Sequence, residues 1–185
     1  MHTLIWIAVV VAVVLVAAAA VRFVLQQRRR RRLGSQFGTE YERSVRVKGS
    51  RRDAERELEE RSSRRRQLDI RELSPEAREQ YAQLWRDAQA RFVDVPADAV
   101  RDADTLLSSV MRERGYPIAD FEQRAADVSV DHADVVENYR YAHAIAEQSA
   151  RGEAGTEDLR QAMVHYRALF KELLGEGRSV GATVA

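Results

Sequence analysis

The chain contains no cysteine, which excludes a disulfide framework, a thiolate metal site and a cysteine nucleophile. Histidine is also sparse, with four residues in 185, and this argues against a histidine-rich metal centre. Three prolines and nine glycines are too few for a collagen-like chain or a low-complexity linker. Lysine occurs only at Lys48 and Lys171, so arginine carries nearly all of the basic charge. Alanine, arginine, glutamate and valine dominate instead, and together they favour helix over sheet.

The short motifs that carry catalysis are missing as well. The sequence has no P-loop, no dinucleotide-binding glycine pattern and no serine in a hydrolase or lactamase context. His132, His143 and Glu147 would share one helical face, but they lack the further ligands that a metal site needs. We therefore predict a non-catalytic protein with no cofactor and no metal. An enzyme with an unrecognised site stays open as an alternative.

The longest apolar run extends from Leu4 to Val21. Its 18 residues would form a helix about 27 Å long, close to the bilayer core of about 30 Å. Arg22 can snorkel toward the headgroups, so that residues 23–25 extend the run. The pattern predicts a transmembrane anchor in residues 1–25. The alternative is a signal peptide cleaved near Ala20; no lysine or arginine precedes the run, and the run exceeds a usual signal-peptide core.

Arginines follow the apolar run and predict its orientation. No charged side chain precedes the run, and no acidic residue follows it before Glu40. The positive-inside rule then places the N-terminus outside the plasma membrane and the C-terminal region in the cytoplasm. The same arginines are predicted to contact the bilayer and its anionic headgroups, whereas nucleic acid is not an expected partner. The predicted topology and headgroup residues are Arg22, Arg28, Arg29, Arg30, Arg31 and Arg32.

Beyond the anchor the sequence predicts an all-α protein, because no segment shows strand alternation. Residues 26–38 form a basic juxtamembrane segment. Residues 39–72 form a charged helical stalk, either solvated or a weak coiled coil, with little core of its own. Glycines at 34 and 38 indicate a break, Thr39 and Glu42 a capping box, and Ser50 the start of a second stalk helix. Residues 73–174 form a small antiparallel helical bundle, and residues 175–185 form a disordered tail.

The expected bundle helices have recognisable ends. Ser74 and Pro75 begin the first, Pro96 begins the next, and Gly115 ends it. A short helix around Phe121 follows, and two further helices are predicted to be capped by Asp131 and Thr156, the last with an apolar face that includes Tyr166. Core packing accounts for most aromatic residues at this helical spacing. We predict that Trp85 and Tyr116 contact a protein partner or a second copy of the chain. Such an association would help to stabilise a thin core.

Several short stretches resemble a family of uncharacterised actinobacterial single-pass membrane proteins, whose members carry the label "membrane" or "secreted" protein. The resemblance covers nearly the whole chain and rests on Phe37-Gly38-x-Glu40-Tyr41, Ala54-Glu55-x-Glu57-Leu58, Leu73-Ser74-Pro75-Glu76-Ala77-Arg78 and Arg114-Gly115-Tyr116-Pro117. It implies an anchor and a bacterial source, and it brings no catalytic residues and no activity.

The formal net charge of +1 conceals two regions of opposite charge. Residues 1–66 contain 16 basic and seven acidic residues, a balance of +9, whereas residues 67–185 contain 14 and 22, a balance of −8. The cluster Arg64–Arg66 is expected to fold back toward the membrane surface. Together these features predict a membrane-anchored cytoplasmic interaction or scaffold module that binds a protein partner or itself. A secreted or periplasmic helical protein released near Ala20 is the alternative.

Overall fold

The computed structural model describes residues 2–118 and 120–175; within its first helix it describes the side chains of Trp6 and of Val14 onward. All regular elements in these ranges are helices, as the composition predicted. They are α1 (His2–Lys48), α2 (Arg51–Gln67), α3 (Pro75–Arg91), α4 (Pro96–Arg114), α5 (Phe121–Val128), α6 (Val136–Ala150) and α7 (Thr156–Leu174).

Helix α1 is interrupted at Gly38, whose φ of 48° and ψ of −124° are not helical. The ion pairs with α2 show what this interruption does. Before Gly38, Arg29 pairs with Glu55 and Glu59, and Arg32 also pairs with Glu59, so this part of α1 runs in the same direction as α2. After Gly38 the order is opposite, because residue 40 pairs with residue 61 and residue 48 with residue 57. The chain therefore reverses at Gly38, and the start of α2 returns to the level of residues 22–30.

The sequence predicted a solvated stalk over residues 39–72, and the structure corrects this. Leu58 of α2 is fully buried with Leu33, Phe37 and Tyr41 of α1 in a small apolar cluster, against which Val130 packs. Within α2, Glu57 pairs with Arg61, whereas Glu55 pairs with Arg29 of α1. We call α1 and α2 together the N-terminal unit.

Helices α3 to α7 form the bundle, in which α4 contacts α3, α6 and α7. Its core includes the stacked rings of Trp85 and Phe170, whose centroids are 4.6 Å apart, and the fully buried Tyr139 and Tyr166. Burial of such aromatic side chains is the main favourable term in a small helical core. Tyr166, which was predicted on the apolar face of the last helix, therefore does lie in the core.

The helix ends predicted for the bundle are confirmed in part. Ser74 accepts a hydrogen bond from the Ala77 N–H at 3.1 Å, Pro75 and Pro96 occupy first-turn positions, and Gly115 ends α4 with a φ of 97°. Asp131 does not cap α6, which begins five residues later because residues 129–135 form turns. The cap of α7 is Gly155, whose N–H donates to Asp158 at 2.9 Å. Of the predicted tail, residues 176–185 lie outside the described residues.

Within the described part of the chain, no helix combines the length and the apolar character needed to cross a membrane. Half of the apolar run on which the anchor prediction rests, residues 4, 5 and 7–13, lies outside the described side chains.

Gly115 provides a test of the linker, residues 68–74, between the N-terminal unit and the bundle. The Arg71 N–H donates to the carbonyl of Arg114 at 2.9 Å, and a Cβ at position 115 would overlap the carbonyl oxygen of Asp69. We expect Gly115→Ala to cost more free energy of unfolding than Gly152→Ala. Both positions have positive φ, which costs alanine about 1–2 kcal/mol, but position 152 has open space around it.

Thermal unfolding of the full-length protein measures the difference. A further loss of at least about 1 kcal/mol in Gly115→Ala is expected from the overlap. Equal melting temperatures for the two variants would show that the linker does not need its close approach to Gly115.

Candidate functional site: an arginine–carboxylate junction

The N-terminal unit meets the bundle through opposite charges. One face of α2 presents arginines, and the facing turn and helices of the bundle present a hydroxyl and carboxylates. The contacts are Arg61 to Ser129 at 3.4 Å, Arg64 to Asp127 at 3.7 Å, and Arg65 to Asp131. The regional charges of +9 and −8 are therefore partly neutralised inside the molecule.

Glu40 occupies the centre of this junction and is only 1% exposed. Its Oε1 accepts from Arg61 Nη1 at 2.7 Å and from Arg140 Nη2 at 3.0 Å. One carboxylate thus joins α1, α2 and α6, elements up to 100 residues apart in sequence. Its other oxygen, Oε2, has no hydrogen-bond partner in the described residues, and Arg43 Nε lies 3.8 Å from it.

Further carboxylates balance the two guanidinium groups that hold Glu40. Arg61 also pairs with Glu57, and Arg140 Nη1 donates to Glu122 at 2.9 Å. Such pairing is required because a buried charge without a partner costs several kcal/mol. The junction is therefore a network that holds helices in one arrangement.

The second contact of the junction depends on Asp131. Its carboxylate accepts from the hydroxyl of Tyr116 at 2.8 Å and pairs with Arg65 of α2. Burial, and then the charge of Asp131, raise the pKa of Tyr116, so that the phenol stays protonated and donates to the carboxylate. Residue 131 thus joins the bundle to α2, which explains why it does not cap α6.

The two predicted partner contacts, Trp85 and Tyr116, are not supported. Their side chains are 5% and 3% exposed, because Trp85 stacks on Phe170 and Tyr116 bonds to Asp131. Neither side chain can reach another molecule without opening the fold.

The predicted headgroup arginines divide into two groups. Arg29 and Arg32 pair with acids of α2, so their charges are partly neutralised within the chain. The remaining arginines of the set are exposed on α1 and make no ion pair among the described residues: Arg22, Arg28, Arg30 and Arg31. The cluster at residues 64–66 does not return to this end of α1, because Arg64 and Arg65 contact the bundle.

The histidines are not arranged as the sequence suggested. His132 is fully buried in the turn before α6 rather than on a helix surface, with Nδ1 3.3 Å from Glu172. Only His143 and Glu147 come together, with His143 Nε2 3.7 Å from the Glu147 carboxylate. Within the described residues, no group of three or more such side chains is placed to hold a metal ion.

A pocket of about 190 Å³ between α4 and α6 contains His143 and two acids. His143 Nδ1 lies 3.4 Å from Asp104 Oδ1, which also accepts from the Tyr166 hydroxyl at 2.8 Å. One face of the imidazole stacks on the ring of Phe121, with the centroids 3.7 Å apart. Burial acts to raise the pKa of Asp104, but the bonds from His143 and Tyr166 outweigh it and the net shift is downward. Asp104 is therefore a carboxylate at neutral pH that orients His143.

Sequence reasoning missed Glu40 as a functional residue. Its neighbourhood has the pattern of a helix start, and Arg61 lies in the segment predicted as a charged stalk. The only local signal was the Phe37–Tyr41 stretch, in which two aromatic residues flank the acid on a face that becomes buried. The partners of Glu40 lie 21 and 100 residues away, beyond the reach of helical periodicity.

No protein-family model matches the chain, and comparisons with curated proteins and with solved structures give no significant match. The geometry of the chain's own residues must therefore carry the functional argument.

Neutralising Glu40 tests the junction. We expect Glu40→Gln to destabilise the fold by about 3–5 kcal/mol, because it leaves Arg61 and Arg140 buried without their shared carboxylate. The control Glu122→Gln removes an exposed carboxylate from the same Arg140 and should cost about 0–1 kcal/mol. Thermal unfolding gives the magnitude, and hydrogen exchange locates the change in α2 and in α1 after Gly38. Equal, small effects in both variants would contradict a structural role for Glu40.

The environment of His132 predicts that the free energy of unfolding depends on pH. Burial, and then the charge of Arg114, lower the pKa of His132 below its usual value of about 6.5, against the opposing effects of Glu172 and Asp131. The unfolded chain therefore binds this proton more readily than the folded chain. Stability is fully present above about pH 6.5 and falls as the pH drops toward the lower pKa of the folded state.

Unfolding measured between pH 7.5 and 5.5 should show this loss, and His132→Asn should reduce the slope even if it also lowers stability overall. An unchanged slope in the variant would assign the pH dependence to other groups.

Proposed function

We propose that this protein is a membrane-anchored, non-catalytic helical scaffold whose bundle faces the cytoplasm and binds a protein partner or a second copy of the chain. The first part of α1 serves as the anchor. The bundle is held at a fixed orientation to the membrane by the junction at Glu40.

The observation that carries the anchor is the exposed apolar surface of α1. Val14, Leu15 and Val16 are 60–69% exposed although they are consecutive and so point in different directions around the helix. Val21, Phe23 and Leu25 continue this surface with 59–67% exposure. A helix that is apolar on all sides needs an apolar environment, and lipid provides one. The sequence run from Leu4 supports the same proposal.

The cytoplasmic orientation rests on the arginines that follow, since they hold the adjacent segment on the side where basic residues are retained. The scaffold role rests on the junction. A charged network that joins α1, α2 and α6 transmits the position of the anchor to the bundle, which a flexible linker would not do.

A second candidate function is catalysis in the pocket between α4 and α6, which the orientation of His143 by Asp104 favours. A histidine held by a carboxylate is a suitable general base, and Ser149 lines the same pocket. Glu147, near the other imidazole nitrogen, would then bind a proton or a cationic group of the substrate. The junction at Glu40 would in that case serve only stability.

Membrane fractionation tests the proposal. The full-length protein should stay with the membrane after alkaline carbonate extraction, and a reporter fused after Ala185 should be active only on the cytoplasmic side. Release by carbonate would contradict the anchor. A mature N-terminus at Val21 would support the cleaved, secreted alternative, and an external reporter would overturn the orientation.

A further inference from the structure

The reversal at Gly38 creates a groove that the sequence did not indicate. The start of α2 lies beside α1 where the apolar run meets the first arginines, and the groove between them has a volume of about 650 Å³. Val21 and Leu25 form its apolar side, while Arg22 and Gln26 of α1 and Arg52 of α2 form its polar side. Ligand sites of this size usually combine an apolar wall with a few polar groups in the same way.

The charges in the groove favour an anion. Arg22 and Arg52 are exposed and make no ion pair within the part of the chain that the structure describes. Glu55, the acid at the edge of the groove, is already engaged, since Arg29 Nε lies 3.6 Å away and the Tyr41 hydroxyl donates to it at 3.0 Å. Two guanidinium groups are thus left for a ligand, and guanidinium binds phosphate oxygens in bidentate fashion.

A neighbouring concavity extends the basic surface. It is lined by Arg30 of α1 together with Ser50 and Arg51 at the start of α2. Basic residues from two distant parts of the sequence therefore surround one end of the apolar surface of α1. A ligand that matches both sides of the groove must carry a negative charge next to a hydrocarbon chain.

We propose that this groove binds a single anionic phospholipid, with its phosphate between Arg22 and Arg52 and an acyl chain along Val21 and Leu25. The inference rests on the proposed function, because it requires α1 to lie in a bilayer. It deepens that proposal by assigning headgroup binding to a defined site that includes α2. A general attraction of the Arg28–Arg32 run would not need Arg52.

Lipid binding to the full-length protein tests the site. The wild type, Arg52→Gln and Arg66→Gln are purified in detergent and titrated with phosphatidylglycerol or phosphatidylcholine, and bound lipid is counted by native mass spectrometry. Arg66 is a matched control, since it is an exposed arginine at the other end of the same helix and makes no ion pair among the described residues. The wild type should retain phosphatidylglycerol in preference to phosphatidylcholine.

Arg52→Gln should weaken phosphatidylglycerol binding by about five-fold, the factor expected for one arginine beside an anionic surface, and Arg66→Gln should leave binding unchanged. Equal losses in both variants would overturn the site in favour of unspecific attraction. Inorganic phosphate should not displace the lipid. Displacement by phosphate at the same concentration would show that the groove recognises a soluble anion instead.

Comparison of these titrations with the carbonate extraction of membranes separates this inference from the proposed function. A protein that resists carbonate extraction but shows no loss of phosphatidylglycerol in Arg52→Gln would overturn the groove alone. A protein that carbonate releases would overturn the anchor, and with it the lipid site.

Discussion

The arrangement of this protein depends on one buried carboxylate, Glu40, held between the guanidinium groups of Arg61 and Arg140. Burying these charges is costly, and an apolar replacement of the whole set would be equally stable or more so in many proteins. The network provides conformational specificity, because Glu40 has its partners only when α1, α2 and α6 adopt this arrangement. Apolar contacts between the two parts are few, with Val130 against the small cluster around Phe37, so the charges determine the docking.

The opposite charges of the two parts of the chain therefore have a structural role. The basic α2 faces the acidic bundle through residues 64 and 65, while the arginines at residues 22, 51 and 52 are left at the other end of the N-terminal unit. One set of arginines contacts the bundle, and in our proposal the other set contacts the lipid headgroups. The reversal at Gly38 makes both possible, because it brings the start of α2 back beside the end of the apolar run.

Local signals were sufficient to predict much of the bundle. Ser74, Pro75, Pro96 and Gly115 act through their own backbone neighbours, so their effects can be identified within a few residues of sequence. The junction could not be predicted in this way. A charged residue in a helical pattern resembles a solvated one until its partner is known, as for Arg61, and Asp131 resembled a cap although its carboxylate bonds to residues 65 and 116. Trp85 and Tyr116 were predicted as partner contacts but are buried. The sequence pattern around an aromatic residue does not distinguish a core position from a binding surface.

The central claim is that the junction holds the N-terminal unit and the bundle in one fixed arrangement. The absence of native cysteine allows a direct measurement, because spin labels can be attached at Val47→Cys on α1 and Ala144→Cys on α6, both exposed positions. Double electron–electron resonance on the labelled full-length protein should give one narrow distance distribution, which broadens when Glu40→Gln is added. A broad distribution in the protein with Glu40 intact would show that the two parts move independently and would contradict the account.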